Sequence, residues 1–450
     1  MNDPRVLLAA PASGSGKTMI TCGILQALHN RGMRVSSFKC GPDYIDPMFH
    51  EKVIGIRSGN LDLFFSDEAS LRRLFCRNAE GAQLSVIEGV MGYYDGQAAM
   101  SDDASTYKIA RALQTPVVLI VNARGQSLSA LAVLEGFLRF RPDSGMRGVI
   151  FNQMSERVFL SLKGEIDKMG VVPLGYVPRA EELVIESRHL GLVTPDEIAN
   201  LSGRLCKLAA LLEKTLDIDA LIALAADAPV LTRPEPEPLP VMPKTRLAVA
   251  RDAAFCFFYK DNLLLLEKLG AELLYFSPIH DEELPQGAQG LLLPGGYPEL
   301  YAKALSENTA MRASVAKAVR AGMPCLAECG GFLYLHRELE DMNGVFYPMC
   351  GVLDERAWRT PHLKRFGYVT LTAQGDSAFL EAGESIRGHE FHYYESGDCG
   401  NAMMAEKPSG DISWRCIHAE GNLLAGFPHL FYESNPRLIA RFLRRCAGEE

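Results

Sequence analysis

The chain has 450 residues, 48% of them hydrophobic, enough to bury a large core and to fill two or three domains. Its formal net charge is −9, from 46 Lys and Arg against 55 Asp and Glu, and no basic block offsets it. That balance argues against nucleic acid as a partner and for small molecules, and the absence of an apolar run of about 18 residues argues against a membrane span.

The N-terminus, MNDPRVLLAAPASGSGKT, lacks the basic region and cleavage site of a signal peptide. Eleven cysteines occur without a single C-x-x-C pair, so neither a disulfide framework nor a zinc ribbon is indicated. The expectation is a cytoplasmic protein with reduced thiols.

From the start to about residue 225, short apolar runs (RVLLAA, VSSF, LSVIEG, PVVLIVNA, GVIFNQ, VPLGYV) alternate with helical-period segments. Alternation of this kind predicts βαβ units around a mostly parallel sheet. The first unit, RVLLAAPASGSGKTMITCGILQAL, reads as strand, glycine-rich turn and helix. Backbone N–H groups of the turn Ser13-Gly14-Ser15-Gly16 and the positive end of the helix can cradle phosphates. Lys17 can neutralise their charge, and the Thr18 hydroxyl can ligate Mg2+. The full phosphate-loop pattern would place glycine at position 11, where this chain has Pro11.

Two predicted strands end in acids: FKCGPDYIDP supplies Asp43 and Asp46, and SVIEGVMGYYDG supplies Glu88 and Asp95. Ligands bind at the carboxyl edge of parallel sheets, so these acids are placed to hold a metal; acids before turns also serve as helix caps. Six prolines then fall between Pro229 and Pro243, a density that predicts an extended, semi-rigid linker.

A second α/β alternation follows: TRLAVARD, AELLYF, GLLLPGG, a helix around 305–321, GMPCLAE, and another helix from about 330. Residues 345–430 have shorter strands and many turn residues, which predicts a mixed or antiparallel extension. In GMPCLAECGGFLYL a buried-strand pattern stops at Cys329 and a helix starts beyond Gly330-Gly331. A sharp turn there is expected to leave the thiol exposed above the sheet, near a helix N-terminus that lowers its pKa, as a nucleophile requires. Cys325 and Cys350 read as core thiols. Gly295-Gly296 in LLLPGGYPELY can aim N–H groups at a developing oxyanion, and the candidate bases are His429 in GFPHLFY and His389 or His392 in RGHEFHYYE.

Taken in order, the phosphate loop, FKCGPDYIDP, VIEGVMGYYDG, the proline linker, LLLPGGYPEL, AECGGFLYL, RGHEFHYYE and GFPHLFY resemble the cobyrinate a,c-diamide synthases over nearly the whole chain. The resemblance implies a P-loop-type, mostly parallel α/β domain, similar to dethiobiotin synthetases, at 1–228. A linker at 229–244 and a class I glutamine amidotransferase α/β domain at 245–450 follow. It implies ATP- and glutamine-dependent amidation of the a- and c-side-chain carboxylates of cobyrinate, with Mg2+ as cofactor and a second copy of the chain as a candidate partner.

Residue by residue, the resemblance implies Cys329 as nucleophile and His429 as its partner, beside the oxyanion-hole candidates Gly295, Gly296 and Gly330. It implies Ser13 to Thr18 and Asn152 at ATP, with Thr18, Asp43 and Glu88 at the metal and Tyr44, Asp46 and Asp95 near the tetrapyrrole carboxylates. Many triad amidotransferases carry a glutamate two residues after the histidine; here Phe431 stands there, as in the synthase family, which implies a Cys–His dyad. SRHLGLV around His189 is similar to the family without an assigned role. Competing readings are the same chemistry on hydrogenobyrinate or nickel-sirohydrochlorin, and a non-catalytic nucleotide switch with an inactive amidotransferase module.

Overall fold

The structure, a computed structural model, describes residues 3–98, 100–179, 201–235, 238–240 and 242–449. The SRHLGLV stretch with His189 lies outside the described residues. The chain divides into two compact units, residues 1–236 and 237–450.

In the first unit seven strands form one parallel sheet: β1 (Arg5–Ala9), β2 (Val35–Cys40), β3 (Arg57–Leu61), β4 (Leu84–Glu88), β5 (Val117–Asn122), β6 (Met146–Asn152) and β7 (Val172–Val177). Their order is β3-β2-β4-β1-β5-β6-β7, with every neighbouring pair parallel. A central parallel strand needs apolar cover on both faces, and β1 shows why RVLLA has no polar alternation. Leu7 and Ala9 enter one core while Val6 and Leu8 enter the other, each core closed by helices. The carboxyl ends of β1, β2 and β4 lie side by side, since Leu8 pairs with Glu88 and Lys39 with Glu88 across neighbouring strands. That register brings the phosphate loop and both acidic stretches to one sheet edge.

Described residues of the proline-rich stretch pack on the unit to which each belongs. Pro229 accepts a hydrogen bond from the buried Arg5 guanidinium (2.7 Å), and Leu231 enters the first unit's core. Further on, Leu239 and Met242 pack on a core of the second unit.

The second unit has a five-stranded parallel sheet of β8 (Thr245–Ala250), β9 (Ala271–Phe276), β10 (Gly290–Leu293), β11 (Cys325–Glu328) and β20 (Leu423–Gly426). The order is β20-β11-β10-β8-β9. The same two-sided logic holds: Leu247 and Val249 face one core, Ala248 and Ala250 the other. The intervening chain builds a mixed sheet from β12 (His336–Glu340), β13 (Phe346–Pro348), β14 (Leu353–Arg359) and β17 (Tyr394–Ser396). An antiparallel sheet takes β15 (Arg365–Ala373), β16 (Ser385–His392), β18 (Met403–Glu406), β19 (Ser413–Cys416) and β21 (His429–Leu430).

Between β20 and β21 only Phe427 and Pro428 intervene, so the chain leaves the parallel sheet and joins the antiparallel one within two residues. This hand-off sets His429 beside the end of β11. The helical segment expected around 305–321 is two helices, Ala302–Glu307 and Thr309–Arg320, broken at Asn308, whose side chain caps the second.

Candidate functional site

Each unit carries one constellation at the carboxyl edge of its parallel sheet. In the first, the helix Lys17–Asn30 begins directly after Gly16, which has φ 95°. The left-handed backbone there favours glycine, and space demands it as well: a Cβ on Gly16 would fall 2.2 Å from Asn152 Nδ2. Asn152 is buried at the end of β6, donates from Nδ2 to the Ser15 carbonyl (2.9 Å), and accepts at Oδ1 from the Gln153 N–H (3.0 Å). Its amide therefore braces the phosphate loop from below. The Ser15 hydroxyl turns back onto the Ala12 carbonyl (2.8 Å).

The Lys17 ammonium donates to the Met91 carbonyl (2.6 Å) and, at 3.4 Å, to that of Ala12. Burial, with the neighbouring Lys39 adding to it, pulls Lys17 down to about 8, while Glu88 and Asp95 act against that shift. Asp95 is exposed, and its carboxylate accepts from the Gly92 N–H (3.0 Å), folding the loop after β4 against the phosphate loop.

Glu88 is fully buried. Its Oε1 accepts from the Thr18 hydroxyl (2.6 Å) and from Lys39 (2.7 Å), while Oε2 is a buried oxygen with no hydrogen-bond donor among the described residues. Lys39 also pairs with Asp46 and reaches Asp43 at 3.9 Å. Burial opposes the charge of Lys39, but Asp46, Glu88 and Asp43 overcome it and hold the ammonium well above its usual range. Burial raises Glu88 to about 7. Asp43 rises to about 6 through burial and the adjacent Asp46 charge. Desolvation acts the same way on half-buried Asp46, yet Lys39 draws it below the ordinary carboxylate range. Three carboxylates around one lysine thus share charge unequally, as like charges at short range must.

Asp43 Oδ1 accepts from the N–H groups of Ile45 (2.8 Å) and Asp46 (3.2 Å), so it also caps the turn on which half-buried Tyr44 stands. No cluster of three His, Cys, Asp or Glu side chains able to hold a metal is present among the described residues. Mg2+ that arrives on nucleotide phosphates needs only one or two protein oxygens, and the Thr18 hydroxyl with the orphaned Glu88 Oε2 fits that requirement.

In the second unit Cys329 sits between β11 and the helix Gly330–Leu335, at φ 45° and ψ −100°, a strained backbone for any residue but glycine. Its N–H donates to the Gly426 carbonyl (2.8 Å), and Glu328 just before it accepts from the Leu430 N–H at 3.4 Å. The two contacts tie the cysteine turn to both sides of His429. The glycines explain the closeness: a Cβ on Gly295 would lie 2.3 Å from His429 Cε1, and one on Gly330 would lie 2.9 Å from the Gly296 nitrogen. Cys329 and His429 are thereby gathered at the Gly295-Gly296 segment. The Gly296 nitrogen faces the Cα of Gly330, and the Gly330 backbone favours the thiolate of Cys329.

One expectation is corrected. Cys329 is buried, not exposed, and its thiol is pushed up rather than lowered. Burial is the main cause, Glu299, Glu390 and Glu328 add to it, and only the Gly330 N–H acts the other way. The six-residue helix does not offset that burial. A thiol held up in this way calls for a base to take its proton.

His392 has both ring nitrogens occupied, by the Tyr394 carbonyl (2.7 Å) and Glu390 (3.0 Å), and stacks on Phe427. His389 meets the Tyr259 hydroxyl through Nδ1 (3.0 Å). His429 is buried, and burial followed by the nearby His389 and His392 keeps it neutral. Cys325 and Cys350 are core thiols, as expected.

Sequence reasoning passed over Lys39, Tyr259 and Glu299. A signal existed for the first: VSSFKC is buried throughout, and a lysine inside such a strand needs buried counter-charges. Glu299, two residues after Tyr297 in the turn that follows Gly295-Gly296, is half-buried and raised to about 7, chiefly by desolvation.

Residues 6–193 match the model of the family described as CobQ/CobB/MinD/ParA nucleotide binding domain, and 246–436 match that of the CobB/CobQ-like glutamine amidotransferase domain. The chain is 40% identical to a cobyrinate a,c-diamide synthase of Listeria innocua over 97% of this chain and 98% of the relative. It is likewise 40% identical to that of Caldanaerobacter subterraneus over 98% of each, and 39% identical to that of Dehalococcoides mccartyi over 100% of this chain and 99% of the relative. The chain therefore belongs to the cobyrinate a,c-diamide synthase family.

Proposed function

We propose that the protein is a cytoplasmic carbon–nitrogen ligase that amidates the a- and c-side-chain carboxylates of cobyrinate, using ATP and the amide nitrogen of glutamine. In this reading residues 1–228 activate and amidate the tetrapyrrole, 229–244 link, and 245–450 release ammonia from glutamine. The observation that carries it is the strained, buried Cys329 turn, tied by hydrogen bonds to both sides of His429 in a chain that also holds a braced phosphate loop.

In the glutaminase half, His429 takes the Cys329 proton as sulfur attacks the side-chain carbonyl of glutamine. Burial and neighbouring imidazoles favour the neutral ring that this task requires. The Gly296 and Gly330 N–H groups, with Gly295 shaping the turn, receive the oxyanion. Collapse of the adduct breaks the C–N bond, the imidazolium returns its proton to the leaving nitrogen, and water hydrolyses the thioester to glutamate.

In the synthetase half, a substrate carboxylate oxygen attacks the γ-phosphorus of ATP, releasing ADP and forming an acyl phosphate. The turn Ser13 to Gly16, Lys17 and Thr18 hold the phosphates, with Asn152 fixing the loop. Mg2+ supplied with ATP would rest on Thr18 and Glu88, with Asp43 close by, and offset phosphate charge. Lys39 pairs with both Glu88 and Asp46 and offsets negative charge at this edge. Tyr44, Asp46 and Asp95 line the place where the tetrapyrrole carboxylate enters. Ammonia then adds to the acyl carbon and phosphate leaves.

The test is a pair of substitutions. Cys329→Ala is expected to abolish glutamine-dependent amidation while high external ammonia still supports it; Lys17→Ala is expected to suppress both. Glutamine consumption at the normal rate by the Cys329→Ala protein would overturn the assignment.

A further inference from the structure

With Phe431 at the position where a triad carboxylate would stand, some other group must hold the base. We propose that His389 is that positioning residue: its ring stacks on His429, is fixed in turn by the Tyr259 hydroxyl, and sets the orientation in which the dyad works. This rests on the Cys329–His429 reading above.

Three observations support the assignment. His389 and His429 face each other across the β16–β21 pair, so the backbone register itself sets their rings together. The ring centroids lie 5.0 Å apart with an interplanar angle of 18°, an offset parallel stack. Tyr259 then locks the outer ring, its hydroxyl 3.0 Å from His389 Nδ1, and its own ring meets Phe431 edge-on at 5.5 Å. The aromatic side chain at 431 thus buttresses the tyrosine that holds the histidine that holds the base.

Space reinforces the arrangement. Gly388, next to His389, has no room for a Cβ because the His429 carbonyl would lie 2.5 Å away, and Gly295 makes the same allowance at the ring's Cε1 edge. His429 is therefore confined by glycine backbone at two places and by an imidazole on one face.

The electrostatic consequence differs from that of a triad. The titratable and charged groups around the pair are His389, Glu390 and His392 of β16, Glu328 and Cys329 at the β11 turn, Tyr259, and Tyr432 beyond β21. Glu299 acts on Cys329, and Lys407 of β18 acts on His389. Burial, with Lys407 adding to it, keeps His389 neutral. A carboxylate partner would favour a standing thiolate–imidazolium pair. A stacked neutral imidazole does not, so proton transfer waits until glutamine is bound and sulfur attacks.

The experiment measures glutamine hydrolysis by the full chain. In His389→Ala, kcat is expected to fall about 10²-fold, the scale of a misplaced catalytic group. KM for glutamine and amidation with external ammonia stay unchanged. The acid limb of the kcat profile moves to higher pH, because the smaller side chain admits water and lessens the desolvation that lowers His429. Tyr259→Phe, which deletes one oxygen, is expected to cost about tenfold. His389→Phe, which restores a ring to stack on, recovers part of the His389→Ala loss.

Wild-type kcat in both His389→Ala and Tyr259→Phe overturns the proposal, as does a loss expressed in KM with an unmoved pH profile. Should His389→Ala fail to fold, shown by loss of ammonia-dependent amidation, Tyr259→Phe and His389→Phe decide by the same criteria. Failure of the underlying dyad reading is separate: it shows as glutamine hydrolysis that survives Cys329→Ala.

Discussion

Gly295→Ala probes the glutaminase geometry with the addition of one methyl group. The new Cβ would sit 2.3 Å from His429 Cε1, 3.0 Å from Nδ1 and 3.4 Å from Nε2, whereas ordinary contact begins near 3.4 Å. The ring must therefore retreat by about 1 Å. Its retreat is opposed by the His389 stack and by the β16–β21 pairing that fixes its backbone. Gly295 does not occupy the left-handed region, so the substitution acts through the imidazole and not through backbone strain. A 1 Å misplacement of a catalytic group costs about 10²-fold. The assay is glutamate release under saturating glutamine, alongside amidation driven by an ammonium salt. The expected result is a loss near that size in the first and none in the second. Unchanged glutaminase, or equal losses in both assays, would refute the placement of His429 against Gly295.

Other consequences follow from the same geometry. Gly16→Ala forces a Cβ to 2.2 Å from Asn152 Nδ2 at φ 95°, so nucleotide-dependent amidation should be lost while glutaminase persists; retained ATP affinity by calorimetry would count against the braced loop. The raised pKa of Glu88, about 7 against an ordinary 4.5, means that the folded state binds its proton more tightly than the unfolded chain does. That group's contribution to stability is present below pH 4.5 and declines as pH rises toward 7. Glu88→Gln should lessen the fall in thermal stability across that window, and an identical pH dependence in both proteins would contradict the assignment. Because burial and carboxylates hold the Cys329 thiol up, its alkylation by iodoacetamide at pH 7 should be slower than that of free cysteine. A thiolate plateau below pH 7 at this residue would show the electrostatic reading to be wrong.

Much of the fold was legible because parallel strands buried on both faces leave unbroken apolar runs, as in RVLLA and PVVLIVNA, and glycines mark the turns where the chain leaves a sheet. Residues such as Lys17, Thr18 and Cys329 could be singled out because their position relative to a strand end is local. What sequence could not supply is whatever depends on partners distant along the chain. The thiol of Cys329 was expected to be activated by its helix. Its actual environment is set first by burial, to which Glu299 and Glu390 add from 30 and 61 positions away along the chain. Asn152 stands 137 residues from the Ser15 carbonyl that it braces, and Tyr259 stands 130 from His389. Lys39 was in plain view within FKCGPDYIDP, but its role becomes visible only when β4 places Glu88 beside it.

The most direct measurement is mass analysis of cobyrinate incubated with the protein, ATP and glutamine carrying a heavy amide nitrogen, with hydrogenobyrinate and nickel-sirohydrochlorin in parallel. The account predicts that cobyrinate gains two amides, at the a and c side chains, both bearing the heavy nitrogen and only when ATP is present. Cobyrinate recovered unchanged while glutamine is hydrolysed, or amides lacking the label, would contradict it.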